Sequence, residues 1–78
     1  MKRVDRPVEA IIKKGWPSRI ERESKVYTTR QVIDFWIVQT RWWAKEEKRI
    51  YFRLWTDGGT IEVYRSGNNL WVLSKLFD

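Results

Sequence analysis

Residues 49–78 decide the fold, because they consist of three apolar runs separated by two short turn sequences. In order they read RIYFRLWT (49–56), DGG (57–59), TIEVYRS (60–66), GNN (67–69) and LWVLSKLFD (70–78). Gly and Asn readily adopt the positive φ values that tight hairpin turns require. The pattern therefore predicts a three-stranded antiparallel meander.

Within the runs, apolar side chains recur at every second residue, as they do on a strand with one buried face. In the first run Ile50, Phe52 and Leu54 share a face, and in the second Ile61 and Val63 do the same. The third run is apolar on both faces, which is typical of a well-buried strand. We expect these three strands to form much of the core.

Length and composition set limits on the rest of the molecule. The chain has 78 residues, enough for one domain with a modest core, and its six Trp, three Tyr and three Phe suit a core of that size. It contains no Cys and no His, which excludes disulfides, thiolate chemistry and catalysis by imidazole. The longest stretch without charge, residues 66–74, is much shorter than a membrane-spanning helix. We therefore expect a cytoplasmic protein without membrane contact.

Positive charge is concentrated in the first part of the chain. The net charge is +6, and residues 1–30 hold nine Lys/Arg against four Asp/Glu, whereas residues 31–78 hold seven against six. A basic surface favours a polyanionic partner. The alternative is that the charge only keeps a small domain soluble.

The first thirty residues alternate between short apolar and polar stretches. Residues 1–7 are expected to be a flexible lead-in, and residues 8–13 a first strand. Gly15 and Pro17 mark the turn that follows. Residues 18–23 are mostly charged, with Ile20 as their apolar anchor, and predict an edge strand whose charges discourage further pairing. A hairpin turn around Ser24 then leads into the next strand.

Residues 28–40, TTRQVIDFWIVQT, are compatible with two structures. Thr28 and Gln31 stand at the spacing of a helix capping box, so a short helix within residues 29–40 is one alternative. The many β-branched and aromatic residues favour a pleated surface instead. We favour a long, bent or bulged strand over residues 25–38. The chain is then an all-β, mainly antiparallel domain, residues 8–78, with six strands in a small barrel or roll.

Catalysis is not expected. Two Glu-x-Lys triplets, residues 23–25 and 46–48, have a spacing found in metal-dependent nucleases, but such triplets arise easily by chance in a chain with 33% charged residues. No Gly-rich phosphate loop follows a strand, and neither a cofactor nor a metal is predicted.

Nucleic-acid binding is the function that the residue pattern favours, because Lys and Arg neutralise phosphates while exposed rings stack on bases. Trp16, in a turn beside two lysines, is the ring that we most expect to be exposed. For each ring the competing interpretation is a place in the core. The candidate contacts are Arg19, Arg22, Lys25, Arg30, Arg41, Arg53, Trp16, Trp42, Trp43 and Tyr51.

Several aromatic motifs occur in a fixed order: Trp42-Trp43, Arg49-x-Tyr51, Val63-Tyr64-Arg65, Trp71-x-Leu73 and Leu76-Phe77. This order resembles the C-terminal segment of ImuB proteins, the catalytically degenerate relatives of Y-family DNA polymerases in bacterial mutagenic lesion bypass. The upstream part resembles a related family of small bacterial domains of unknown function. Together the resemblance covers residues 8–78.

The resemblance implies an accessory module of DNA damage tolerance and translesion synthesis. Such a module would contact single-stranded DNA or a DNA-repair partner such as a replicative-type polymerase or a RecA-like protein. Two hypotheses follow for this chain, which we expect to be a monomer. The first is a module that binds single-stranded DNA, and the second is a protein-interaction module that uses an exposed apolar patch or a free strand edge.

Overall fold

The computed structural model describes residues 1–42, 45–67 and 69–77, without the side chains of residues 40–42 and 45. The six strands are β1 (Lys2–Lys13), β2 (Trp16–Arg22), β3 (Lys25–Trp42), β4 (Lys45–Thr56), β5 (Gly59–Arg65) and β6 (Trp71–Phe77). Each strand is antiparallel to the next, and β1 also pairs with β6. The sheet therefore closes into a ring in sequence order. The all-β prediction with six strands is confirmed, and so is the C-terminal meander.

The core fills the interior of the ring. Its fully buried side chains come mainly from the meander, where Leu54, Ile61, Val63 and Leu73 have no exposed surface. Their alternation with outward residues is the pattern of the three runs. Burial of each such side chain contributes roughly 1.5–3 kcal/mol. The remaining core members and the residues packed on them are Ile20, Tyr27, Val4, Val8, Ala10, Val32, Phe52, Trp71 and Leu76.

The ambiguous segment is a strand. β3 extends from Lys25 to Trp42, and its register with β4 shifts twice, between Thr29 and Gln31 and between Val32 and Asp34. The predicted bulged strand is confirmed, and the helix alternative is wrong: none of the described residues is helical. Cross-strand pairing decides the outcome, because a strand places β-branched and aromatic side chains opposite those of β4.

Two boundaries in the first part of the chain differ from the sequence prediction. Residues 2–7 are not a loose lead-in but the first half of β1, where Lys2 pairs with Leu76 and Pro7 with Val72. The reason is ring closure, since β6 needs a partner on its outer side. A bulge between Arg3 and Arg6, with Asp5 at φ 50°, adapts the strand to this pairing.

β2 is not an edge strand, because it pairs with β1 on one side and with β3 on the other. Its single apolar anchor, Ile20, is completely buried. Arg19 and Glu21 lie on the outer face, where they form an ion pair of 3.7 Å. A strand of mostly polar composition can therefore lie between two other strands if one apolar residue enters the core and its outer face remains in water.

The ring leaves two stretches of strand with a single neighbour. Residues 2–8 of β1 pair with β6 alone, because the register of β1 with β2 starts at Glu9. Beyond Thr28, β3 pairs with β4 alone, so the β3–β4 hairpin projects from the ring. The molecule measures 40 × 28 × 21 Å, which reflects this projection. None of the described residues forms a helix of the length and apolar character that a bilayer crossing requires.

Candidate functional site

The outer face of the sheet carries a row of aromatic rings across three strands. Trp36 of β3 stacks on Tyr51 of β4 with ring centroids 5.4 Å apart, and Tyr51 contacts Tyr64 of β5 at 5.0 Å. These residues are direct partners in the strand register. All three are half-buried, since each ring covers its neighbours. The row therefore stabilises the sheet and leaves little free ring surface for stacking on a base.

Arginine side chains cover this aromatic row. The Arg53 guanidinium lies over the rings of Trp36 and Phe77, at 5.5 and 4.9 Å from their centroids. It also approaches the Glu62 carboxylate at 3.4 Å, and Lys75 approaches the same carboxylate at 3.9 Å. Glu62 is only 3% exposed, so its charge needs both cations.

Arg49 occupies the neighbouring position. It donates a hydrogen bond to Glu47 at 2.9 Å and another to the Tyr51 hydroxyl at 3.4 Å, and it lies 4.6 Å from the centroid of Tyr64. The hydrogen bonds to Glu47 and Tyr51 raise the pKa of Arg49 above its ordinary value, so it stays charged. Burial raises the pKa of the Tyr64 hydroxyl, while the charge of Arg49 partly opposes that shift.

An apolar groove lies at the base of the projecting hairpin, on the side opposite the aromatic row. Its open cavity of about 610 Å³ is bordered by the β1–β2 turn and by the hairpin. Phe35 is 62% exposed and Ile37 53%, and Ile33 and Trp16 are also exposed. The lining residues are Gly15, Trp16, Val32, Ile33, Asp34, Phe35, Ile37, Ile50 and Phe52.

The groove is connected to the core by ring contacts. Phe35 stacks on Phe52 at 6.2 Å between centroids, and Phe52 contacts Trp71 at 5.9 Å. Phe52 itself packs against the buried cluster. The floor of the groove is therefore fixed by the core, whereas its rim of Phe35, Ile37 and Trp16 faces water.

The groove lies beside the open edge of β3. Residues 29–42 of β3 have no second strand neighbour in the described part of the chain. Their edge amides and carbonyls can pair with an added strand, and the side chains of that strand would alternate into the groove. An apolar groove and an open strand edge thus occur on the same element.

The structure disperses the residues that the sequence nominates for nucleic-acid binding. Trp16 lies at the groove and is exposed, as predicted, although Phe35 and Trp55 are more exposed. Arg22 ends β2 and Lys25 begins β3 at the opposite end of the ring. Arg19 is on the outer face of β2, and Arg30 is at a β3 bulge. The remaining candidates belong to the aromatic row, namely Arg53 and Tyr51, or lie outside the described side chains, namely Arg41, Trp42 and Trp43.

The groove residues Ile33, Phe35 and Ile37 were not among the sequence-based candidates. They are exposed because β3 is longer than β2, so that no described strand covers this part of β3 on the side of β2. The sequence signal for this exposure would have been the unequal lengths of β2 and β3, the two strands of one hairpin. Among the described residues, no three acidic side chains gather in the manner of a metal site.

Comparison with known proteins supplies no relative. No protein-family model, no curated protein and no solved structure matches the chain. The resemblance to ImuB segments, and the roles that it implies, therefore stay predictions.

Proposed function

We propose that this protein is an interaction module that binds an extended, apolar segment of another protein as an added strand on β3. The observation that carries the proposal is the apolar groove beside an open strand edge. Main-chain hydrogen bonds along the edge would supply affinity, and the groove would select alternate apolar side chains.

The exposure of the groove residues supports a binding role. Phe35 and Ile37 are exposed although both are large and apolar, and they neighbour each other on one face of β3. Exposed apolar clusters of this kind mark interaction sites in soluble proteins. Covering such surface contributes about 25 cal/mol per Å² of apolar area removed from water.

The charges around the groove define the partner further. Lys13 and Lys14 directly precede Gly15 and Trp16, which line the groove, and the chain carries a net charge of +6. Asp34 is the only acidic residue in the lining as described. We therefore expect a partner segment with apolar residues at every second position and acidic residues beside them.

Single-stranded DNA is a less suitable occupant of this groove. The rings of Trp16 and Phe35 could stack on a base, but the described lining of the groove contains no Lys or Arg to neutralise phosphates. The rings of the aromatic row are covered by each other and by Arg49 and Arg53. Binding of single-stranded DNA stays a second prediction, as does an accessory role in DNA damage tolerance. A strand-adding module is compatible with that role if the partner is a polymerase or a RecA-like protein.

Selection from a random peptide library displayed on phage tests the proposal directly. Peptides retained by the wild-type protein are expected to alternate apolar residues and to carry acidic neighbours. The best of them should shift the amide NMR signals of residues 33–39 and of Trp16. Replacement of Ile37 by Lys should reduce its affinity at least about tenfold, because a charge would then face the apolar strand.

Val26→Lys is the matched control, since Val26 is another exposed apolar residue of β3 but lies outside the groove. It should bind as the wild type does. Selected peptides without alternation, or equal affinity for the Ile37→Lys variant, would refute the proposal. Concentration-dependent dimerisation abolished by Ile37→Lys would also refute it, because the occupant would then be a second copy of this chain.

A further inference from the structure

The end of the ring opposite the apolar groove contains a small cavity surrounded by cations. The cavity has a volume of about 220 Å³. It lies where the start of β1, the end of β2 and the end of β6 meet. Its lining residues are Lys2, Arg3, Val4, Arg6, Arg22 and Leu76, of which four carry a positive charge.

The strand register explains why these cations converge. Lys2 pairs with Leu76 and Arg6 with Leu73, two residues that contribute to the core. Because paired residues share a face of the sheet, Lys2 and Arg6 are directed to the inner side of the ring. Arg22 has the same orientation, two residues after the buried Ile20 on β2.

The cations are only partly neutralised. Arg3 is paired with Asp5 at 2.9 Å. Within residues 1–42, 45–67 and 69–77, no ion pair is formed by Lys2, Arg6 or Arg22. Like charges gathered without partners repel one another, so an anion that enters the cavity would remove an unfavourable interaction.

The surroundings restrict the size of the anion. An adjoining cavity between β1 and β2 shares Arg22 but is bordered by Glu9, Glu21 and Glu23. These carboxylates would repel a negatively charged chain continuing along the seam. The geometry thus suits one compact, doubly charged group.

We propose that Lys2, Arg6 and Arg22 form a binding site for a single phosphate group, either free phosphate or the terminal phosphate of a nucleotide chain. Arginine recognises phosphate through paired N–H donors, and here two arginines and a lysine from two strands line one cavity. This site goes beyond the proposed strand-binding function, since it lies at the other end of the ring and shares no residue with the groove.

Calorimetric titration at constant ionic strength tests the site with three probes: inorganic phosphate, a deoxyoligonucleotide with a 5′-phosphate, and the same oligonucleotide with a 5′-hydroxyl. Binding of inorganic phosphate would identify free phosphate as a ligand, and preference for the 5′-phosphate oligonucleotide would identify a terminal phosphate. In either case Arg6→Gln and Arg22→Gln should each reduce affinity about tenfold. Asp5→Asn should increase it, because Arg3 is then released.

Arg19→Gln is the matched control, as it removes the same charge from the outer face of β2 and should leave affinity unchanged. Each variant is checked for the wild-type pattern of amide NMR signals, and Lys2→Gln serves as a further test if one arginine variant misfolds. The proposal is overturned if none of the probes binds, if the Arg6 and Arg22 variants bind as the wild type does, or if the two oligonucleotides bind equally and inorganic phosphate does not bind.

Discussion

Glu62 is the residue whose environment is most demanding, because a nearly buried carboxylate is shared between two cations. Arg53 reaches it at 3.4 Å and Lys75 at 3.9 Å, and Arg53 is itself placed over Trp36. Removal of the carboxylate charge would leave two cations facing each other. The β4–β5–β6 meander thus depends on a charge group as well as on its apolar core.

Replacement of Glu62 by Gln should lower the free energy of unfolding by about 1–2 kcal/mol, because the buried amide cannot compensate for two cations. Urea unfolding followed by Trp fluorescence measures the change. Glu21→Gln, which removes the more exposed ion pair with Arg19, should cost less than about 0.5 kcal/mol. Equal losses in the two variants would contradict this assignment.

The aromatic ring of Tyr27 leaves no room for a side chain at Gly58. A Cβ atom at this position would lie 2.9 Å from Cδ1 of Tyr27, whose side chain is buried. Gly58→Ala should therefore destabilise the protein by about 1–3 kcal/mol. Gly67 has nothing within 4 Å of a Cβ, so Gly67→Ala should have little effect. Thermal unfolding of the two variants measures the difference. A neutral Gly58→Ala variant would show that Tyr27 can move.

Tyr64 gives the protein a pH-dependent stability in the alkaline range. Burial raises the pKa of its hydroxyl above the ordinary value of 10.0. The folded state therefore keeps a proton that the unfolded chain has released. This contribution is complete below the unfolded pKa and is lost as the pH rises through the folded one. Tyr64→Phe should make the decline in stability above about pH 10 less steep in urea unfolding. An unchanged slope would contradict the shift.

At the scale of elements, β3 shows which structural features the local sequence predicts and which it does not. Its β-branched and aromatic residues predicted a bulged strand, and the register with β4 confirms it. The exposure of the β3 side chains could not be predicted from the local sequence. Ile37 and Leu54 are equally apolar, but one is 53% exposed and the other fully buried, because β3 is long and β2 is short.

This difference gives a stability prediction. Leu54→Ala should cost about 2–5 kcal/mol, since it opens a cavity in the core. Ile37→Lys should change the free energy of unfolding by less than about 0.5 kcal/mol, because residue 37 is exposed and lies outside the core. Thermal unfolding of both variants measures the contrast. A large loss for Ile37→Lys would mean that the groove is part of the folded core and not a binding surface.

At the scale of the whole molecule, the ring has an apolar end and a cationic end. The sequence showed that positive charge is concentrated in residues 1–30, but not that the strand register divides it between surfaces. Arg19, Arg22 and Arg30 are close in sequence and lie on different parts of the ring. The candidate sites could not be derived from residue spacing, because ring closure brings β1 beside β6 and leaves β3 open.

Amide hydrogen exchange of the protein with and without a selected peptide tests the central claim most directly. We predict that alternate amides of β3 between residues 34 and 40, those on the open edge, exchange more slowly in the complex, while residues 2–8 of β1 are unaffected. Protection of the β1 edge instead, or a complex without any protection along β3, would contradict the account.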